Sequence, residues 1–210
     1  WREHLEGKSG LGIIPINEEN QVRWGAIDID TYSLDIPELV KKIDSYKLPL
    51  VVCRSKSGGA HVFCFVDDFI PAGDMQDKLR ELAAGLGYGG VEIFPKQREV
   101  LVDRGDIGSW LNMPYFGGED STRYGLSEKA EALGIDDFLA FALERQITNS
   151  EDLFKIEIAA VVDDLEFGPP CLKILLKQGF PEGTRNNGLF NVAVYLQKAH
   201  PDAWETKLED

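Results

Sequence analysis

Short apolar runs alternate with stretches of helical periodicity over residues 1–118 of the chain. The apolar runs predict strands at 11–16, 22–30, 48–54, 60–66, 91–94 and 109–114. Between them, apolar residues at helical spacing predict helices over 35–46, with Asp35 as N-cap and Pro37 in the first turn, and over 72–86. The five-residue loop 55–59 contains two glycines, which predicts a hairpin between the strands on either side.

From about residue 127 the apolar spacing is helical throughout. It predicts helices within 127–133, 135–146 and 150–165, and two more after the chain-breaking Phe-Gly-Pro-Pro sequence at 167–170. Strands mixed with helices, followed by helices alone, predict an α+β fold with a small helical C-terminal appendage. We place the boundary after residue 150, which gives a mixed domain over 1–150 and part of a helical module over 151–210.

The composition is typical of a soluble globular protein, with 43% hydrophobic and 28% charged residues. No apolar run approaches the roughly 18–20 residues that span a bilayer, so we expect no membrane association. The chain starts without a signal peptide or an initiator Met, which indicates a trimmed chain or a fragment. Cys53, Cys64 and Cys171 lack paired spacing and predict buried thiols in a reducing cytoplasm. Three separated histidines and no Cys-x-x-Cys argue against structural zinc.

The net charge of −14 by itself argues against a nucleic-acid partner. The charge is uneven, however, because residues 171–210 carry five basic and five acidic residues and the whole excess lies in 1–170. A basic set in that first part flanks the glycine-rich and motif-like stretches: Arg54, Lys56, Lys96, Arg98, Arg104 and Arg123. A basic cleft in an acidic protein predicts weak phosphate binding that depends strongly on salt.

Two carboxylates, Asp28 and Asp30, come at the end of the second apolar run. Residues two apart in a strand point to the same face, so their charges repel and raise each other's pKa unless a cation lies between them. A divalent metal is one answer and a solvated edge is the other. With 36 acidic residues in the chain, an acid-x-acid triplet arises by chance about six times, so the pair needs support from elsewhere.

The loop Ser55-Lys56-Ser57-Gly58-Gly59, followed by His61, is the second candidate. Hydroxyls, an ammonium, glycine N–H groups and an imidazole suit a phosphate cradle. The alternative is a plain glycine hairpin with a core histidine. His61 opens a strand that is apolar on both faces, where a polar side chain needs a partner or a ligand.

Glu92 is a single acid in a short apolar strand. If the carboxylate is buried, it destabilises the fold by several kcal/mol unless it is paired, protonated or bound to metal. At a solvated strand edge it would indicate no function. Lys96 and Arg98 follow closely and could meet phosphate. Asn112 lies in the segment 108–118, which could line a base or sugar pocket. The alternative there is an aromatic core strand and turn, built on Trp110 and Tyr115.

In this order the motifs resemble the archaeo-eukaryotic primase superfamily, the primase-polymerases of phages and mobile elements. Asp28 and Asp30 match its strand-ending Asp-x-Asp, Ser57-Gly58-Gly59-Ala60-His61 its serine–histidine element, and Glu92 its strand-borne acid. The sequences VEIFPKQ, WLNMP and HLEGKSGLGIIPI are similar to further segments of those primases, and EGTRNNGLFNVAVYLQKA resembles their C-terminal helical module. Glu92 stands where Asp is commoner, and the second motif is one residue shorter than the longer family form.

The resemblance implies an RRM-like catalytic core with an N-terminal α/β unit over 1–150, followed by the helical module. It implies a nucleotidyltransferase, a DNA primase or polymerase that makes or extends primers on single-stranded DNA from NTPs or dNTPs. Asp28, Asp30 and Glu92 would be catalytic and would bind two Mg²⁺ or Mn²⁺ ions. The nucleotide-binding residues would be Arg54, Ser55, Lys56, Ser57, His61, Lys96 and Asn112. A replicative helicase as partner, and a cytoplasmic role in phage or plasmid DNA replication in a bacterial host, are further expectations.

Two rival functions come from other classes. A metal-dependent nuclease or phosphoesterase of the nicking type would need a histidine pair, and the chain offers only His61 near the motifs. A non-catalytic single-strand-binding module would stack bases on Trp24, Phe63 and Phe65, although aromatics in strands apolar on both faces are more often core residues. The order of the motifs favours the polymerase.

Overall fold

The computed structural model describes residues 1–31, 33–158, 168–178, 180 and 183–209. The chain forms two compact units, one of Trp1–Leu79 with Glu92–Ile156 and one of Arg80–Val91 with Glu157–Asp210. Every candidate site residue lies in the first unit, so the fold of that unit positions the site.

The strands of the first unit form two antiparallel sheets. The larger has the order β3-β4-β2-β5 and the smaller pairs β1 with β6. Their bounds are β1 Gly12–Ile13, β2 Gln21–Ile29, β3 Leu50–Arg54, β4 Ala60–Pro71, β5 Glu92–Phe94 and β6 Leu111–Asn112. The predicted strands at 11–16 and 109–114 are thus two residues each, and they pair with one another.

Helices connect the strands of the larger sheet in the order expected for an RRM-like core. After α1 (Arg2–Leu5), helix α2 (Ile36–Ser45) links β2 to β3 and α3 (Ala72–Gly85) links β4 to β5. The chain order β2-α2-β3-β4-α3-β5, with β2 and β4 central, is that of a split β-α-β fold. The predicted α+β class and RRM-like core are confirmed.

The two faces of the larger sheet bury different neighbours. Ala26, Phe63 and Phe94 lie opposite one another on adjacent strands. They form a buried cluster with Leu111 of β6 and with Met113, the residue after β6. On the other face, Gly25 lies against α3 so closely that an added Cβ would come within 2.6 Å of Leu79. The sheet is therefore covered on both sides.

Local sequence signals explain the well-predicted elements. The side chain of Asp35 accepts a hydrogen bond from the backbone N–H of Glu38 at 3.0 Å, so α2 has the predicted N-cap. The register of β3 with β4 confirms the hairpin around 55–59. Helix α3 confirms the prediction for 72–86 to within a residue.

Two predictions from composition and periodicity were wrong. Residues 127–133 form a turn and not a helix, because the Ser127 hydroxyl accepts hydrogen bonds from the N–H groups of Lys129 and Glu131, each at 3.2 Å. Cys53 and Cys64 are buried as expected, but Cys171 is exposed on a helix.

The helices predicted for 135–146 and 150–165 are present but shorter, and within the described residues three helices begin at or after the Phe-Gly-Pro-Pro sequence, where two were predicted. They are α4 Ile135–Glu144, α5 Ser150–Lys155, α6 Pro170–Gln178, α7 Arg185–Ala199 and α8 Trp204–Glu209. Within the second unit, Leu172, Val192 and Leu196 form a small core. The end of the helix predicted for 150–165 lies partly outside the described residues. None of the described helices is long and apolar enough to cross a bilayer.

Candidate active site

Three of the predicted site residues lie side by side across the larger sheet. In the pairing of β2 with its neighbours, Asp28 is directly opposite His61 on one side and Glu92 on the other. Directly opposite residues in antiparallel strands point to the same face, with Cβ atoms about 4.5–5.5 Å apart. We call His61, Asp28 and Glu92 the polar row. It lies near the end of β2, next to the buried apolar cluster on that face.

Asp28 is the most electrostatically loaded member of the polar row. Its side chain is 21% exposed. Burial and, after it, the negative charges of Glu92 and Asp30 together raise its pKa to about 6, while the positive charge of Lys96 acts in the opposite direction. Asp28 is therefore a carboxylate whose surroundings favour the arrival of positive charge.

His61 is more buried than Asp28, with 13% of its side chain exposed. Its Nε2 lies 3.5 Å from Asp28 Oδ1, too far for a strong hydrogen bond. Burial lowers its pKa, a hydrogen bond to the backbone carbonyl of Asn112 opposes this, and the charge of Arg123 lowers it further. The imidazole is thus held between Asn112 of β6 and Asp28. This placement differs from that of a histidine packed only among apolar side chains.

The glycines of the loop 55–59 serve the backbone. Gly58 has φ +94°, a conformation that favours glycine. A Cβ on Gly59 would lie 2.1 Å from the carbonyl oxygen of Ile29, so the hairpin can approach the end of β2 only with glycine there. The hairpin interpretation explains both glycines.

The serines of that loop connect it to the aspartates. Ser57 Oγ donates to Asp30 Oδ1 at 2.8 Å, and the hydroxyls of Ser55 and Ser57 are 3.1 Å apart. The first and second motifs therefore touch, as the resemblance implies. Asp30 and Ser57 are both exposed and accessible to a ligand, whereas Ser55 is buried.

Glu92 is not the buried lone acid that was considered from the sequence. Its side chain is 61% exposed, and its Oε2 forms an ion pair with Lys96 Nζ at 2.7 Å. It nevertheless stands in register with Asp28, so its exposure does not remove it from the site. The same contact brings Lys96 to the polar row.

The other predicted nucleotide-binding residues divide into those near the row and those outside it. Asn112 meets His61 through its backbone, and its side chain is exposed. Arg54 is the last residue of β3, opposite Ala60, and its guanidinium donates to the Thr122 carbonyl at 2.9 Å. Lys56 is exposed at the hairpin and makes no such contact among the described residues. Arg98 forms a bidentate ion pair with Asp77, at 2.6 and 2.9 Å.

Sequence reasoning placed Arg123 among the basic residues but gave it no role. Its charge acts on His61, and its guanidinium lies over the Phe116 ring at 5.0 Å. Among the described residues no carboxylate forms an ion pair with it. Arg123 lies outside regular structure, so no periodicity of the sequence connects it with His61.

His4 is a second residue that sequence reasoning missed, and its role is structural. Its Nδ1 accepts from the N–H of Leu11 at 3.0 Å and its Nε2 donates to the Pro114 carbonyl at 2.8 Å. It thereby ties the start of the chain to the segment after β6. Gln97 acts similarly, because its side-chain amide donates to Ser109 Oγ at 2.8 Å and accepts from the Ser109 N–H at 2.9 Å. The two primase-like segments around Lys96 and Asn112 are thus joined.

The aromatic residues of the 108–118 segment separate into two roles. Tyr115 is buried, its hydroxyl donates to the Leu133 carbonyl at 3.0 Å, and burial raises its pKa to about 12. Trp110 is 57% exposed and is not a core residue. Among the aromatics considered for base stacking, Phe63 belongs to the buried core, and Phe65 stacks on it with ring centroids 5.8 Å apart.

The donor set suits a hard divalent cation. Asp28, Asp30 and Glu92 offer carboxylate oxygens, which Mg²⁺ and Mn²⁺ prefer. The pKa of Asp28 is raised by burial and also by the negative charges of Glu92 and Asp30, which a cation would offset. Within the described residues, no three carboxylate, imidazole or thiol groups already converge as a metal-binding group. Two of the carboxylates have other partners instead. Glu92 pairs with Lys96, and Asp30 accepts a hydrogen bond from Ser57.

Comparison with known families agrees with the motifs. The family model described as the archaeo-eukaryotic primase domain of the TOTE conflict system matches residues 1–126, which is more than half of the chain and includes every candidate site residue. No curated protein matches the chain. The match ends before the helices α4 to α8, so the C-terminal module stays a prediction. The chain belongs to the family of archaeo-eukaryotic primase domains found in TOTE conflict systems.

Proposed function

We propose that this domain is a nucleotidyltransferase that makes or extends primers on single-stranded DNA from NTPs or dNTPs. The observation that supports it most is the register of the polar row, in which the central carboxylate has an acid on one side and an imidazole on the other. Carboxylates that bind metal and cationic or hydroxyl groups that bind phosphate are the two sets that nucleotidyl transfer requires.

The order of the strands separates these two sets. From β3 to β5 the register runs Cys53, His61, Asp28 and Glu92, so the imidazole lies on one side of Asp28 and the second acid on the other. Arg123 brings a guanidinium near His61. A triphosphate would lie on the side of His61 and Arg123, with its reacting phosphate towards Asp28.

In the proposed reaction the oxygen of a 3′-hydroxyl attacks the α-phosphorus and its proton passes to water. A new P–O bond forms, and pyrophosphate leaves with the electrons of the P–O bond that breaks. Asp28, Asp30 and Glu92 would hold Mg²⁺ or Mn²⁺, which when bound neutralises charge on the attacking and leaving oxygens. Ser57, Arg54 and Arg123 would orient the triphosphate by donating hydrogen bonds. His61 would fix the phosphate end against β6, through its bond to Asn112.

The test is incorporation of labelled nucleotide on primed single-stranded DNA with Mn²⁺. Asp28→Asn keeps the size of the side chain and removes its charge, and it should lower incorporation by more than about a hundredfold, since even the partners of metal ligands are worth 10- to 100-fold. Asp67→Asn is the matched control, because Asp67 is an exposed acid on β4 whose partner is Arg23. Equal incorporation by Asp28→Asn and wild type would refute the proposal.

The rival functions give different products in the same assay. A nuclease would shorten labelled DNA when nucleotide is omitted. A non-catalytic module would bind single strands or nucleotide without incorporation. The ion pair that holds Glu92 to Lys96 is the observation that favours this alternative. Either result would replace the proposed activity.

A further inference from the structure

The ammonium of Lys96 is held at the acidic end of the polar row from several directions. Its Nζ is 2.7 Å from Glu92 Oε2 and lies 5.0 Å from the centre of the Phe94 ring. The backbone under it is fixed by Gln76, a residue 1% exposed, whose amide donates to the carbonyls of Pro95 at 2.8 Å and Lys96 at 2.7 Å. The position of Lys96 therefore follows from the buried contacts of α3.

This ammonium acts on more than its ion-pair partner. Asp28 is affected by Glu92 and Asp30 in one direction and by Lys96 in the other. One flexible cation thus opposes the mutual repulsion of the three carboxylates that the proposed metal site needs. Its Nζ pairs with Oε2 of Glu92, one of the two carboxylate oxygens that Glu92 could offer to a metal ion.

The contact is suited to exchange. Lys96 and Glu92 are 38% and 61% exposed, and exposed ion pairs are weakened by water and salt. Lysine carries its charge on a flexible four-carbon stem, so it can move from a carboxylate to a phosphate without moving the backbone. A triphosphate arriving at the row offers the ammonium more negative charge than Glu92 does.

We propose that Lys96 is a placeholder cation that couples metal binding to nucleotide binding. In the free protein it pairs with Glu92 and competes with the metal ion; when a nucleoside triphosphate binds, it moves to the phosphates and releases Glu92. Metal and nucleotide then bind cooperatively, and by linkage each strengthens the other by the same factor. This inference rests on the proposed function, because it requires that both ligands bind at the polar row.

The experiment measures the Kd of Mn²⁺ by electron paramagnetic resonance, with and without a nucleotide analogue whose α,β-methylene bridge prevents incorporation. In wild type the analogue should tighten Mn²⁺ binding to the protein by at least about fivefold, the lower range of coupling between sites. In Lys96→Met, Mn²⁺ alone should bind several-fold more tightly than to wild type, and the effect of the analogue should shrink. Comparing the variants cancels the affinity of Mn²⁺ for the analogue itself.

Lys155→Met is the matched control. Lys155 pairs with Asp152 at 2.8 Å on α5, so its replacement changes the net charge equally without touching the row, and Mn²⁺ affinity should equal that of wild type. Mn²⁺ binding that depends on Asp28 but is unchanged or weaker in Lys96→Met would overturn the inference and leave the proposed function standing. Absence of Asp28-dependent Mn²⁺ binding in both proteins would overturn both.

Discussion

Replacing Asp28 by Asn should stabilise the folded protein at neutral pH although it removes the central carboxylate of the site. In the folded chain the pKa of Asp28 is raised from 3.8 to about 6, chiefly by burial and then by Glu92 and Asp30. The native state therefore holds the proton more tightly than the unfolded state does. The resulting stabilisation is complete below pH 3.8 and is lost as the pH rises through about 6.

The magnitude follows from the size of the shift. One pKa unit corresponds to 1.36 kcal/mol, so a shift of about two units makes the ionised side chain cost about 3 kcal/mol of folding free energy above pH 7. Because Asn does not titrate, the difference in unfolding free energy between Asp28→Asn and wild type should grow by about 2–3 kcal/mol from pH 4 to pH 8. Most of that growth should occur between pH 4 and 6.

Urea unfolding in the presence of a chelator, followed by circular dichroism at each pH, measures this difference. Asp67→Asn serves as the control, since the exposed pair of Asp67 with Arg23 should give a nearly constant difference. Adding Mn²⁺ should then stabilise wild type more than Asp28→Asn, because a ligand of the folded state adds to its stability. A difference that is flat with pH, or that falls towards pH 8, would refute the account of Asp28.

Two further predictions concern groups near the row. Gly59→Ala should lower the free energy of unfolding in urea by about 1–3 kcal/mol, because the added Cβ would lie 2.1 Å from the Ile29 carbonyl oxygen. Gly10→Ala is the control, since nothing lies close to its added Cβ; equal unfolding midpoints for the two variants would contradict the close approach at Gly59. Arg123→Met should raise the KM for nucleotide about tenfold or more with little change in kcat, as expected for a lost charge-assisted hydrogen bond. Arg98→Met is the control and should leave the KM unchanged, because Arg98 pairs with Asp77; a change in kcat alone in Arg123→Met would exclude phosphate binding by Arg123.

Local patterns were enough to predict much of the fold and to select candidate residues that the structure brings together. The strands that carry Asp28 and His61 are rich in apolar residues, which is a local signal. The Asp35 N-cap and the two-glycine hairpin are also encoded by neighbouring residues, so predicting these elements needed no distant contact. The register that brings Asp28 opposite both His61 and Glu92 arises from pairing between distant segments. The order of the motifs implied that these residues come together, whereas the periodicity of the sequence alone could not predict the register.

Other features could not be predicted from apolar spacing, because individual polar side chains decide them. The segment 127–133 has helical spacing, yet one hydroxyl, that of Ser127, makes a turn more favourable. The exposure of Glu92 follows from its place at the start of an edge strand and from Lys96. Arg123 lies outside regular structure, where no periodicity points to a neighbour such as His61.

Template-directed incorporation tests the central claim most directly. Wild-type protein is supplied with Mn²⁺ and one labelled nucleotide at a time, on primed homopolymer templates and on unprimed circular single-stranded DNA. We expect the adenine nucleotide to be incorporated on a thymine template and not on a cytosine template, and Asp28→Asn to incorporate neither. Incorporation that ignores the template, or that survives in Asp28→Asn, would contradict the assignment of the polar row as the centre of templated nucleotidyl transfer.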